Sequence, residues 1–166
     1  MAVLIAVPIF IVLVILQSAV VSAMPLLHGS ADIILLTILA WAVQDRLQTA
    51  WLWSVIAGIM VSLVSGLTFG VFIVAYLVVT GITLILRRRI WKAPWLAMLA
   101  ATFLGTLVVH AFSLISRWLT GNLIQVVTAF NLITLPSLLL NLLLAIPVFY
   151  IVGDIASRFN PDEIRV

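Results

Sequence analysis

Residues 50 to 86 run for 37 positions without one Asp, Glu, Lys or Arg. A helix rises about 1.5 Å per residue, and about 20 apolar residues cross the hydrocarbon core of a bilayer. The stretch is therefore too long for one crossing and too apolar for the surface of a water-soluble domain. Composition extends the argument to the whole chain. Of its 166 residues, 66% are hydrophobic and 8% charged, where a soluble domain carries about 25% charged residues. The sequence predicts an all-α, polytopic integral membrane protein, residues 1–166 forming a single transmembrane domain.

Six spans fit the length, at roughly 2–23, 27–43, 50–65, 67–86, 94–119 and 132–157. Pro25 and Gly29 mark the first turn, and Ser65-Gly66 divides the long uncharged stretch. The second span is short: residues 31–43 cover about 20 Å as a helix, so Leu26 and Leu27 are expected to extend it. Residues 120–131 are mildly polar and compatible with an interfacial helix; the sequence leaves open whether they lie on the membrane or cross into it. In this layout Arg46, Arg87, Arg88, Arg89, Lys92, Arg158 and Arg165 share one side with both termini, and Arg117 stands alone on the other. Excess Lys and Arg mark the cytoplasmic side, so both termini are expected in the cytoplasm, with Arg87, Arg88, Arg89 and Lys92 as the main topology determinants. Trp41, Trp51, Trp53, Trp91 and Trp95 are expected at the cytoplasmic interface and Trp118 at the outer one, because indole favours that boundary.

Chemistry-bearing residues are few. The chain has no cysteine, two histidines and five acidic residues, and it lacks phosphate-binding loops, HExxH and nucleophile elbows. No catalytic residue, metal or cofactor is expected. The net charge of +3 comes from residues flanking apolar spans, so topology accounts for it better than nucleic-acid binding. Ionisable and strongly polar groups at membrane depth must find partners or water. Asp32 is expected to cap the second helix; an inter-helix contact, or an outward site shared with His28 or Arg117, is the sharper reading. His110 and Asn141 are intramembrane polar candidates, His110 for a structural hydrogen bond rather than a proton relay. Asp154 and Arg158 are spaced for a local i, i+4 pair. Ser54, Gly58, Ser62, Gly66 and Gly70 recur every fourth residue, a spacing that lets helix backbones approach closely against another helix of the chain or a partner.

Along nearly its whole length the chain resembles the bacterial rod-shape-determining MreD family. The resemblance rests on Leu16-Gln17-Ser18, Pro25-Leu26-Leu27 and Ala31-Asp32-Ile33-Ile34-Leu35-Leu36. It continues through the glycine-containing hairpin Gly58–Gly66–Gly70, the Arg-rich loop after it, and Asn141, Pro147 and Tyr150 in the last span. Ala31 and Ser62 depart from the proline and aspartate that the family tends to place there. The resemblance implies a non-enzymatic scaffold subunit of the cell-elongation complex in the bacterial cytoplasmic membrane. It would bind MreC and, through it, help organise peptidoglycan synthases and MreB filaments. A substrate-binding subunit of an energy-coupling-factor vitamin transporter is the alternative, with His28, Asp32, Trp118, Asn122 and Gln125 lining an outward pocket.

Overall fold

A computed structural model describes residues 2–21, 29–44, 47–90 and 92–159. The turn around Pro25 and His28, the Asp45-Arg46 loop, Trp91 and the tail from Asn160 with Arg165 lie outside the described residues. Every regular element among the described residues is helical. They are α1 (Ala2–Leu16) with a π-helical turn (Gln17–Val21), α2 (Ile33–Val43), α3 (Leu47–Val64) and α4 (Val71–Arg89). Then follow α5 (Pro94–Leu119), the short α6 (Val126–Ala129), a second π-helical turn (Phe130–Thr134) and α7 (Leu135–Phe159). Three helical stretches are long and apolar enough to cross a membrane: Val71–Arg89, Pro94–Leu119 and Val126–Arg158. The first three helices are apolar but shorter.

The centre of the bundle is α2. Ten of its eleven residues are buried, and it packs on α1, α3, α4, α5 and α7. At about 16 Å it is a half-length helix, shorter than the hydrocarbon core, and both of its ends are held by other elements. Residues 126–159 continue as one helical run, so residues 126–131 of the mildly polar stretch belong to the last helix. Thr120 and Gly121 close α5, with Gly121 at φ +85 and the Asn122 amide donating to the Arg117 carbonyl at 2.9 Å. That left-handed glycine ending satisfies carbonyls the last turn leaves open. The α3–α4 turn begins where the Leu67 amide donates to Ser65 Oγ at 3.0 Å, and Gly70 at φ +95 caps α4.

Consecutive long helices alternate in direction. Thr106 of α5 meets Asn141 of α7, and Ser116 at the end of α5 meets Thr68 before α4. By contrast α2 and α7 run parallel: Asp32 lies by Asn141 and Gln44 by Phe149. Arg87, Arg88 and Arg89 occupy the last turn of α4, where cations complement the helix dipole, and Arg117 occupies the last turn of α5 at the opposite end. Asp154 and Arg158 form the expected pair at 2.8 Å with both side chains largely exposed, a geometry that contributes little stability.

Two expectations are corrected here. Trp41 and Trp53 do not face a membrane interface. They are 3% and 1% exposed and stack face to face at 3.9 Å between ring centroids, because α2 carries Trp41 into the protein interior and α3 turns Trp53 toward it. Trp51, Trp95 and Trp118 are exposed. The four-residue repeat of small residues also ends with α3. Ser54 shares a short hydrogen bond with Thr80 of α4, and a Cβ on Gly58 would lie 2.6 Å from Ile73 Cα, so the two helices touch backbone to backbone. Ser62 is buried, whereas Gly66 and Gly70 stand in the turn, where an added Cβ would meet nothing within 4 Å. The period continues in sequence, but the helix that would give it a face has stopped.

Candidate functional site

The N-terminal end of α2 is where distant parts of the chain meet. Asp32 caps the helix, its Oδ1 accepting from the Leu35 amide at 2.8 Å. Tyr76 of α4 donates from its hydroxyl to Oδ2 at 3.4 Å. The Asp32 amide in turn donates to Asn141 Oδ1 at 2.7 Å, and Asn141 Nδ2 donates to Thr106 Oγ1 at 3.0 Å. On the α1 side, Gln17 Nε2 donates to the Ala31 carbonyl at 2.5 Å while its Oε1 accepts from the Ile33 amide at 3.0 Å. The Ser30 amide donates to Ser137 Oγ at 3.1 Å. Gly29 lies so close to α7 that a Cβ there would sit 2.7 Å from the Ser137 nitrogen. A helix end leaves amides unsatisfied, and inside a membrane only protein groups can satisfy them. Side chains from the π-helical turn after α1, from α4 and from α7 converge on this one, with Thr106 of α5 held behind Asn141.

Beside the node lies an open cleft, made of two adjoining cavities of about 580 and 320 Å³ that share Ser30, Ser65, Phe72, His110 and Ser113. The larger is bounded by the second half of α5, the α3–α4 turn, α6 and the second π-helical turn. The smaller reaches toward α1 and is bordered by Gln17, Asp32 and Tyr76. His110 lines both, and its Nδ1 stands 3.0 Å from Thr134 Oγ1. Arg117 borders the larger cavity at the end of the bundle away from Arg87–Arg89.

Of the residues singled out in the sequence, the structure brings Asp32 and Asn141 into one hydrogen-bonded node and His110 to the adjoining cleft. Ser54, Gly58 and Ser62 serve the α3–α4 contact or lie buried near it, away from that node. Gly66 borders the cleft. Arg87, Arg88, Arg89 and Lys92 stand at the far end. Asp32 lines the smaller cavity, while Trp118, Asn122 and Gln125 line neither; Trp118 instead donates from Nε1 to the Ile124 carbonyl at 2.9 Å. Thr106, Tyr76, Ser113 and Ser137 were not singled out. Thr102, Thr106, His110, Ser113 and Arg117 recur at intervals of four, four, three and four, a helical stripe that marks the polar face of α5. Among the described residues no group of three His, Cys, Asp or Glu side chains is placed to hold a metal. Comparison of the chain with protein-family models, curated proteins and solved structures finds no match.

Proposed function

We propose that the chain is a non-enzymatic membrane scaffold subunit of the MreD kind, acting in the cell-elongation complex of a bacterial cytoplasmic membrane with six crossings and both termini inside. The observation that carries this reading is the convergence of Gln17, Asp32 and Asn141 on the N-terminal end of α2. These residues come from three separated stretches through which the sequence resembles that family, and they join three helices at one point. A shared architecture built around a seated half-helix is a reason for such scattered residues to recur together. The partner is MreC, whose single membrane helix packs on the lipid-facing surface of the bundle. Peptidoglycan synthases and MreB are reached through it.

A bundle with a wide apolar exterior suits that role. Leu135, Leu139, Leu143 and Tyr150 project outward along α7, giving a lipid-facing stripe on which a second helix can pack by van der Waals contact. The transport alternative draws on the cleft, but among the described residues it expects there, Trp118, Asn122 and Gln125 line neither cavity and Asp32 is committed to the α2 cap. Affinity purification of the tagged chain in mild detergent, followed by mass spectrometry, tests the choice. Near-stoichiometric MreC or a peptidoglycan synthase is the expected result. Recovery of an ATP-binding-cassette module, or of a vitamin without a protein partner, overturns it.

A further inference from the structure

The larger cavity has walls of different chemistry. His110, Ser113 and Arg117 fall at i, i+3 and i+7 on α5 and so share one face, and all three line it. Much of the remaining lining comes from α6 and the π-helical turn after it, with Val126, Phe130 and Ile133 as its apolar members. Its volume of about 580 Å³ falls within the range of small-molecule sites, roughly 300–1,000 Å³.

Two observations direct attention to Arg117. It is exposed, and its guanidinium meets no carboxylate among the described residues: Asp154 is paired with Arg158, and Asp32 accepts from Leu35 and Tyr76. It also stands at the end opposite Arg87, Arg88, Arg89 and Arg158, against the charge bias that orients membrane proteins. The charge bias therefore does not call for a cation here, and its place in the last turn of α5 accounts for it only through the helix dipole. Beside it, the Ser113 hydroxyl donates to the Val109 carbonyl at 2.8 Å, while the His110 ring meets Thr134 through Nδ1 at 3.0 Å, leaving Nε2 as the further polar atom of that face.

We propose that this cleft binds an anionic amphiphile: a phosphate or carboxylate head held by Arg117 with His110, and a hydrocarbon tail laid along Phe130 and Ile133. A phospholipid from the surrounding bilayer and a free single-chain amphiphile share that chemistry. The site goes beyond the scaffold reading and stands or falls separately from it.

The test is native mass spectrometry of the full chain in a non-ionic detergent, titrated with dioleoyl phosphatidylglycerol, dioleoyl phosphatidylcholine and dodecyl phosphate. Phosphatidylglycerol is expected to bind one to one and about fivefold more tightly than phosphatidylcholine, the preference one basic side chain gives for an anionic head. R117Q removes that preference, and A111W, at an exposed position lining the cleft, removes binding of both anionic probes. Tighter binding of phosphatidylglycerol than of dodecyl phosphate identifies a membrane lipid as the source, and the reverse order a free amphiphile. Equal binding of the two phospholipids, or R117Q binding like the parent, overturns the proposal. Because Arg117 is exposed, R117Q remains informative even where A111W fails to fold.

Discussion

Asn141 uses both ends of its carboxamide on other helices. Its oxygen accepts from the Asp32 amide and its nitrogen donates to Thr106, with the side chain fully buried. Removing it leaves the Asp32 amide and the buried Thr106 hydroxyl without that partner, at a cost of about 1–3 kcal/mol. Asn141→Ala is therefore expected to lower the thermal unfolding midpoint in detergent clearly. Thr106→Val removes only one of these contacts and is expected to cost less. The double variant should fall short of the sum, because both changes break the same chain of bonds; additive losses would mean that the two residues act independently. Asp32→Ala is expected to cost about 1 kcal/mol as a lost cap, and Asp32→Asn less, since an amide oxygen still accepts from Leu35. Equal losses for the two Asp32 variants would show that the carboxylate charge, rather than the cap, is what the site requires.

At the scale of elements, small residues separate into two classes that look alike in sequence. Gly58 faces the Ile73 backbone across the α3–α4 contact, while Gly66 has open space around it. Gly58→Val must push two helices apart and is expected to cost about 1–3 kcal/mol as overpacking, or more because the obstacle is backbone. Gly66→Ala is expected to stay within about 0.5 kcal/mol. Unfolding midpoints of the two variants check this, and similar losses would place both glycines in the packed face. The same contrast explains what was legible in the sequence. Apolar runs between polar breaks announced the helices, and the Asp32 cap was readable because capping is local chemistry. The central position of α2 was not, since an apolar helix of eleven residues reads the same surrounded by lipid or by protein. That also hid the burial of Trp41. The cleft as a whole was not legible, because its lining comes from segments as far apart as Ser30, Ser65, Arg117 and Thr134. The outward site weighed for Asp32 and Arg117 named two of its members, and the polar stripe along α5 was the signal left unread.

For the whole molecule the deciding property is which end faces which compartment. The alternating directions of α3, α4, α5 and α7 put the turn at Thr68 and the loop at Asn122 on one end, with Lys92 and Arg158 on the other. In the proposed orientation, which follows the Lys and Arg bias, the second end faces the cytoplasm. Because the chain contains no cysteine, single cysteines can be introduced without background. Thr68→Cys and Asn122→Cys are expected to react with a membrane-impermeant maleimide in intact cells, and Lys92→Cys and Arg158→Cys only after permeabilisation. An N-terminal tag is expected to be accessible only after permeabilisation too, which extends the alternation through α1 and the half-length α2 to an even number of crossings. Labelling of position 92 from outside would invert the orientation, and would move Arg117 and its cleft to the cytoplasmic leaflet. Labelling of positions 92 and 122 from the same side would leave α5 without a crossing, a result its 26-residue length and apolar surface make hard to reconcile with any bilayer arrangement.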